Sequence, residues 1–357
     1  MRKPLFLLAL VILIILALAT AGWKDKQMAE PTLKELAAQK QLQFGAYAAR
    51  DRLDEAPYRQ ILAREFNFAV IDGQPNWQFE DGALRPGPDQ YDFSRIDEVL
   101  KFAQDNHLPV RMHHLVWGEE KWLPDWLKSG DYSKQQLMDM LEHHIAAVGR
   151  YYQGKAREWS VVNEAFTRAR HEKGLHDWWA DHIGSDEFID KAFQWAHAAD
   201  PQAVLLLNDF RNEDFGPVSD AMYRKVKQMK SNGVPIDGIG MQMHLDGTRP
   251  PQRDSIIKNM RRFGELGVKV YVTEFDVNMS EVRGDRPGKE VKQAAIYHDM
   301  LRACLESGVC PSFAILGITD RESWYNELGV KDAMPLIFDR DYRPKPAYYA
   351  LHKALRE

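Results

Sequence analysis

The 357-residue chain has two cysteines, Cys304 and Cys310, too few for the disulfide framework that holds small secreted folds together. It has no excess of basic charge: 47 Lys and Arg stand against 52 Asp and Glu, a net charge of −5. Nucleic-acid binding through bulk basicity is thereby excluded. There is no H-E-x-x-H or similarly tight metal-ligand spacing, and no Gly-rich phosphate turn after the first β-rich run. No internal repeat, low-complexity tract or Ser/Pro linker sets off a second domain. What is present is a globular composition, 45% apolar and 28% charged, which excludes a disordered chain.

One segment departs from that average. After Arg2-Lys3, residues 5–21 carry no charge and end in the small-residue run Ala19-Thr20-Ala21. A basic start, an apolar stretch and an A-x-A ending read as a secretory signal peptide. The stretch is also long enough to stay uncleaved as a membrane anchor. In both readings the basic start stays cytoplasmic and the rest is exported. Residues 22–40 read as a linker or a first outer helix. Export permits a disulfide, for which Cys304 and Cys310 are the only candidates, the alternative being two buried free thiols.

Beyond residue 40, short β-rich runs alternate with amphipathic stretches. Strands are expected at 42–47, 67–71, 110–116, 158–162, 204–207, 238–243, 268–273 and 312–316. Helical spacing of apolar residues marks 96–106, 134–152, 185–199, 217–232, 253–266 and 289–306. Eight such strands alternating with helices predict a parallel sheet, most simply closed as a single (β/α)8 barrel over 41–357, with an open doubly wound sheet as the alternative.

Barrel enzymes place their chemistry where strands end. The expected ends bring Asp72, His113, His114, Trp117, Asn163, Glu164, Asn208, Asp209, Gln242, His244, Glu274, Asp276 and Asp320 to one rim, with Trp122, Trp126 and Trp324 nearby. Any one of these could be an ordinary core or loop residue; their co-location points to a site. Glu164 and Glu274, on strands four and seven, suit glycoside hydrolysis, in which one carboxyl protonates the leaving oxygen and the other attacks the sugar carbon. The indoles suit the apolar faces of sugars. The rival is a metal site drawn from the histidines and carboxylates, for which the spacing gives little support.

The run WSVVNEAF at 159–166 closely resembles the acid/base motif of glycoside hydrolase family 10, whose type activity is endo-1,4-β-xylanase. YVTEFDV at 271–277 resembles that family's nucleophile motif. HHLVW at 113–117 with LPDW at 123–126, GIGMQMH at 238–244, and PLIFD at 335–339 with KPAY at 345–348 are similar to further segments in the family's order. The resemblance runs from about Phe44 to Leu351. It implies a cofactor-free retaining hydrolase that cleaves internal β-1,4 bonds, with Glu164 as acid/base and Glu274 as nucleophile. Asn163 would hold the sugar 2-hydroxyl, His244 would hold Glu274, and Asp276 would position His244. His113, Trp117, Gln242, Asp72, Asn76 and Trp324 would bind substrate, and Cys304 and Cys310 match a family disulfide. The expected partner is an oligosaccharide or polysaccharide, xylan first, bound by a monomer. Membrane contact would come only through the N-terminal run. The two carboxyls are expected about 5–5.5 Å apart, the retaining geometry.

The chain also departs from the family. After strand two the family reads Glu-Asn-x-x-Lys-Trp, whereas residues 72–77 read DGQPNW, with Asp72, Gly73 and Asn76 replacing the acid, amide and cation. Leu316 stands where a Trp covers the glycone, and Gly118 where a His follows the strand-three Trp. These changes leave the mechanism intact and open two alternatives: a different or decorated β-glycan as substrate, and a carbohydrate-binding protein without turnover.

Overall fold

Nine strands form in chain order: β1 Gln43–Tyr47, β2 Phe68–Ile71, β3 Val110–Trp117, β4 Glu158–Asn163, β5 Val204–Asp209, β6 Gly238–Met241, β7 His244–Asp246, β8 Lys269–Asn278 and β9 Ser312–Ile315. The computed structural model describes residues 30–71, 77, 82–169 and 177–357. The apolar run at 5–21 lies outside the described residues, as do Asp72, Gly73, Asn76 and part of the 22–40 segment. Adjacent strands pair in parallel in the order β6-β5-β4-β3-β2-β1-β9-β8, and a β6–β8 pairing closes the ring. The result is the expected eight-stranded (β/α)8 barrel, with β7 as a short extra strand on β8.

Two strand ends differ from expectation in a way that shapes the site. β8 continues to Asn278, so Glu274 and Asp276 lie within the strand rather than after it. β6 stops at Met241, because Met243 adopts a left-handed φ of 60°. The chain then re-enters the sheet as β7, with His244 opposite Asp276. The register thus places the imidazole beside its carboxylate.

Helices form the outer layer where the sequence supplies ends for them. Ser133 and Gln136 make a capping box on helix Lys134–Tyr151, a device worth about 1 kcal/mol. Asp285 caps Arg286–Ser307, and Gly308 ends it in the left-handed conformation. That helix begins at Arg286, three residues before the expected 289, because Pro287 fits its first turn. The disulfide Cys304–Cys310 joins its last turn to the approach to β9. Ahead of β1, helix Leu33–Gln39 carries its own Thr32–Glu35 capping box.

One core fills the space between helices and barrel. A second, small cluster of Tyr47, Phe68, Val70 and Ala314, with Leu316 against it, lies apart from that core. Its residues alternate along β1, β2 and β9, as inward-facing barrel positions do. Arg111 on β3 is fully buried, ion-paired to Glu158 at 2.8 Å and donating to Ser312 Oγ at 3.2 Å. Burying those charges is tolerable only because each has a partner.

Candidate active site

β4 and β5 pair in parallel with a register shift between Ser160 and Val162, beyond which Asn163 lies opposite Asn208. Glu164 follows at a φ of 58°, a left-handed turn that carries the chain out of the strand into helix Ala165–Ala169. A non-glycine residue held there is strained, and such strain is commonly found at functional positions. Its amide donates to Asn208 O at 2.9 Å, which fixes the turn to the neighbouring strand.

Glu164 and Glu274 are joined through two side-chain amides. Gln242 Nε2 donates to Glu164 Oε1 at 3.1 Å and to Asn163 Oδ1 at 3.2 Å. Asn208 Nδ2 donates to the same Asn163 oxygen at 2.7 Å and to Glu274 Oε1 at 2.7 Å. Thr273 Oγ1 donates to Asn208 Oδ1 at 2.8 Å, which orients that amide. Two donors therefore occupy the Asn163 carbonyl, and its NH2 is the end left to meet a sugar hydroxyl. β6 makes room for this relay through Gly240, where a Cβ would stand 1.9 Å from Asn208 Oδ1.

Each carboxylate has further supports. Trp117 Nε1 donates to Glu164 Oε2 at 2.8 Å. His244 Nε2 lies 3.6 Å from Glu274 Oε2, and its Nδ1 lies 3.2 Å from Asp276 Oδ1. Trp324 Nε1 donates to the other Asp276 oxygen at 2.7 Å. Burial disfavours the imidazolium of His244, but Asp276 and Glu274 outweigh it and push the group up to about 10. His113, 3.7 Å from Glu274 Oε1, has no comparable second carboxylate, and burial pushes it down to about 4. At neutral pH His244 therefore faces Glu274 as a cation and His113 as a neutral ring. Burial opposes the Glu274 charge, yet the facing histidines and Asn208 hold the carboxyl below its ordinary range. The arrangement supplies an ionised carboxylate and a second carboxyl within one hydrogen-bonded unit, as a displacement at a sugar carbon requires.

The structure thus gathers Glu164, Glu274, Asn163, His244, Asp276, His113, Trp117, Gln242 and Trp324. Trp117 and Trp324, expected as sugar contacts, act here as donors to Glu164 and Asp276. Trp126 belongs elsewhere, with its Nε1 on Arg85 O at 3.1 Å and its ring beside Trp77. Asn208 and Thr273 had no assigned role in the sequence reading, although Asn208 was placed at a strand end. Among the described residues no group of three or more His, Cys, Asp and Glu could hold a metal ion.

The family model described as Glycosyl hydrolase family 10 matches residues 32–354. The chain belongs to glycosyl hydrolase family 10. It is a glycosidase, and its fold and motif order are those of the family. Endo-1,4-beta-xylanase B of Thermotoga neapolitana is 34% identical over 98% of this chain and 97% of its own length. Beta-1,4-xylanase of Dictyoglomus thermophilum is 34% identical over 96% of this chain and 97% of its own. Among solved structures, xylanase 10B from Thermotoga petrophila RKU-1 in complex with xylobiose superposes with a TM-score of 0.83, at 34% identity, covering 91% of this chain and 97% of that one.

Proposed function

We propose that this glycosidase is a retaining endo-1,4-β-xylanase. The observation that carries the reading is the single hydrogen-bonded unit Glu164–Gln242–Asn163–Asn208–Glu274, with His244 as its cation. Full-length relatives named as xylanases support the choice of substrate. In the first step a Glu274 oxygen attacks the anomeric carbon as the carbon–oxygen bond to the leaving sugar breaks, and Glu164 gives its proton to that oxygen. A glycosyl ester of Glu274 results. In the second step Glu164, now a carboxylate, takes a proton from water as that water displaces Glu274 at the same carbon. Two inversions leave the product in the starting configuration.

Asn163 NH2 meets the sugar 2-hydroxyl, where such bonds strengthen in the transition state. His113 and Trp117 line the same sugar position. The apolar run at 5–21 exports the barrel to polymer outside the cytoplasm, released or tethered, and the barrel works as a monomer. Glu164→Gln and Glu274→Gln each lower reducing-end release from xylan by about 100-fold or more. Full activity in either variant refutes the assignment.

A second reading changes the sugar. Leu316 packs onto the small cluster inside the barrel and cannot cover a sugar ring as an indole would. Loss of that cover favours a different or decorated β-glycan. Aryl glycosides of several sugars separate the two readings: xyloside and xylobioside as best substrates uphold the first.

A further inference from the structure

β3 ends at Trp117, opposite Asn163, the residue before Glu164. The Trp117 indole donates to Glu164 Oε2 at 2.8 Å, and the other carboxyl oxygen accepts from Gln242. An indole has a single N–H, so its aim is only as good as the fixing of the backbone that carries it. What fixes the end of β3 comes from much later in the chain, at the start of a short helix, Trp178–Ile183.

Three contacts dock that helix on the strand. The fully buried Trp179 indole donates to Trp117 O at 3.2 Å. The Trp178 amide donates to Gly118 O at 2.9 Å. The buried Asp177 carboxylate stands against Gly118 itself, where a Cβ would lie 2.5 Å from Asp177 Cγ and Oδ2 and 2.7 Å from Oδ1. Asp177 is not free to swing aside, because its Oδ1 accepts from the Ala180 amide at 2.8 Å and caps the helix. The Trp178 and Ala180 amides are first-turn N–H groups with no partner inside the helix. Gly118 O and Asp177 therefore complete the helix end as they dock it. Gly118, where the family has His, thus goes with Asp177: the carboxylate takes the room that a side chain at 118 would need.

We propose that Gly118 and Asp177 are positioning residues for the acid/base step: glycine admits the carboxylate, and the helix start that the carboxylate caps holds Trp117 with its indole on Glu164. The inference rests on reading Glu164 as acid/base. As Glu164 gives its proton to the leaving oxygen it gains negative charge, and a hydrogen bond to a charged acceptor is the stronger kind. The Trp117 bond therefore tightens in the transition state when the proton moves, and does not when the leaving group departs without one.

The test is kcat/KM for two aryl xylobiosides in Gly118→Ala, Asp177→Gly and the double variant. Phenol as leaving group needs the Glu164 proton, and dinitrophenol does not. Gly118→Ala lowers the phenyl rate about tenfold more than the dinitrophenyl rate. Asp177→Gly keeps most of the cap and clears the carboxylate, so adding Gly118→Ala to it costs under about twofold. Trp179→Phe removes the donor on Trp117 O but keeps a buried ring. It gives the same selective loss on the phenyl substrate and carries the test if Gly118→Ala does not fold. No loss, an equal loss on both substrates, or a Gly118→Ala effect just as large beside Asp177→Gly overturns the proposal. Glu164→Gln separates the two ideas. Wild-type rates on the phenyl substrate in that variant would remove the acid/base reading itself. Loss there with an unselective Gly118→Ala would remove only the roles of Gly118 and Asp177.

Discussion

Asp276→Asn should turn His244 from a permanent cation into a group that titrates near neutrality. A pKa of about 10 in place of 6.5 means that the site favours the imidazolium by about 5 kcal/mol. That preference is what remains after burial has opposed it. Two carboxylates at similar range supply it, Asp276 at 3.2 Å and Glu274 at 3.6 Å. Removing one charge while the burial cost stays leaves at most half of the preference, so the imidazole titrates at or below about 8. Asparagine keeps an oxygen for the Trp324 indole, so the change is chiefly one of charge. The sign follows from a raised pKa. In wild type the ion pairing is fully present below 6.5 and is lost as pH rises through about 10. In the variant it is lost at or below about 8. At pH 5 both proteins hold the cation, so hydrolysis rates differ little on that account, but the stability gap, about 2–3 kcal/mol, is already complete there and closes only as pH rises through about 10. Nitrogen-detected NMR of His244 reads the titration directly. A neutral His244 in wild type at pH 7.5, or an unchanged midpoint in the variant, would refute the reasoning.

Gly240→Ala places a methyl 1.9 Å from Asn208 Oδ1. The relay amide must rotate, and kcat on xylan should fall while the melting temperature changes by only a few degrees; unchanged kcat contradicts a role for Asn208. Lys345 is buried with its ammonium on Asp320 at 3.0 Å and on the carbonyls of Met334 and Leu336 at 2.8 and 2.7 Å. Lys345→Met strands a buried carboxylate and should cost about 3–5 kcal/mol in urea unfolding, with part of that loss recovered in Lys345→Met/Asp320→Asn. A loss under about 1 kcal/mol would mean that the pair is dispensable. Treatment with a chelator should leave hydrolysis unchanged, and abolished activity would revive the metal reading.

Alternation made the barrel legible. Each of the eight expected strands is present, because inward and outward faces are both apolar and the runs between them carry helical spacing. Helical spacing of apolar residues located the helices, but the fit of Pro287 in a first turn moved one start by three residues. The paired glutamates were legible because strand ends in a barrel share a rim. The relay between them was not. That Asn208 bridges Asn163 and Glu274 depends on the β4–β5 register and on the space at Gly240, neither of which is written in any local pattern. The bonds of Trp117 to Glu164 and of Trp324 to Asp276 were hidden for the same reason, since an indole that flanks a sugar and one that donates to a carboxylate look alike in sequence. β7 was unreadable because it exists only through the break at Met243 and the extension of β8.

Retention by double displacement requires that Glu274 form a covalent bond to the sugar. Incubation with a 2-deoxy-2-fluoro xylobioside bearing an activated leaving group, followed by peptide mass analysis, tests it directly. One fluoro-xylobiosyl adduct is expected, on Glu274 within residues 271–277, formed at a rate that Glu164→Gln leaves nearly unchanged because the leaving group needs no proton. An adduct on any other residue, or turnover to the inverted anomer with no adduct, would contradict it.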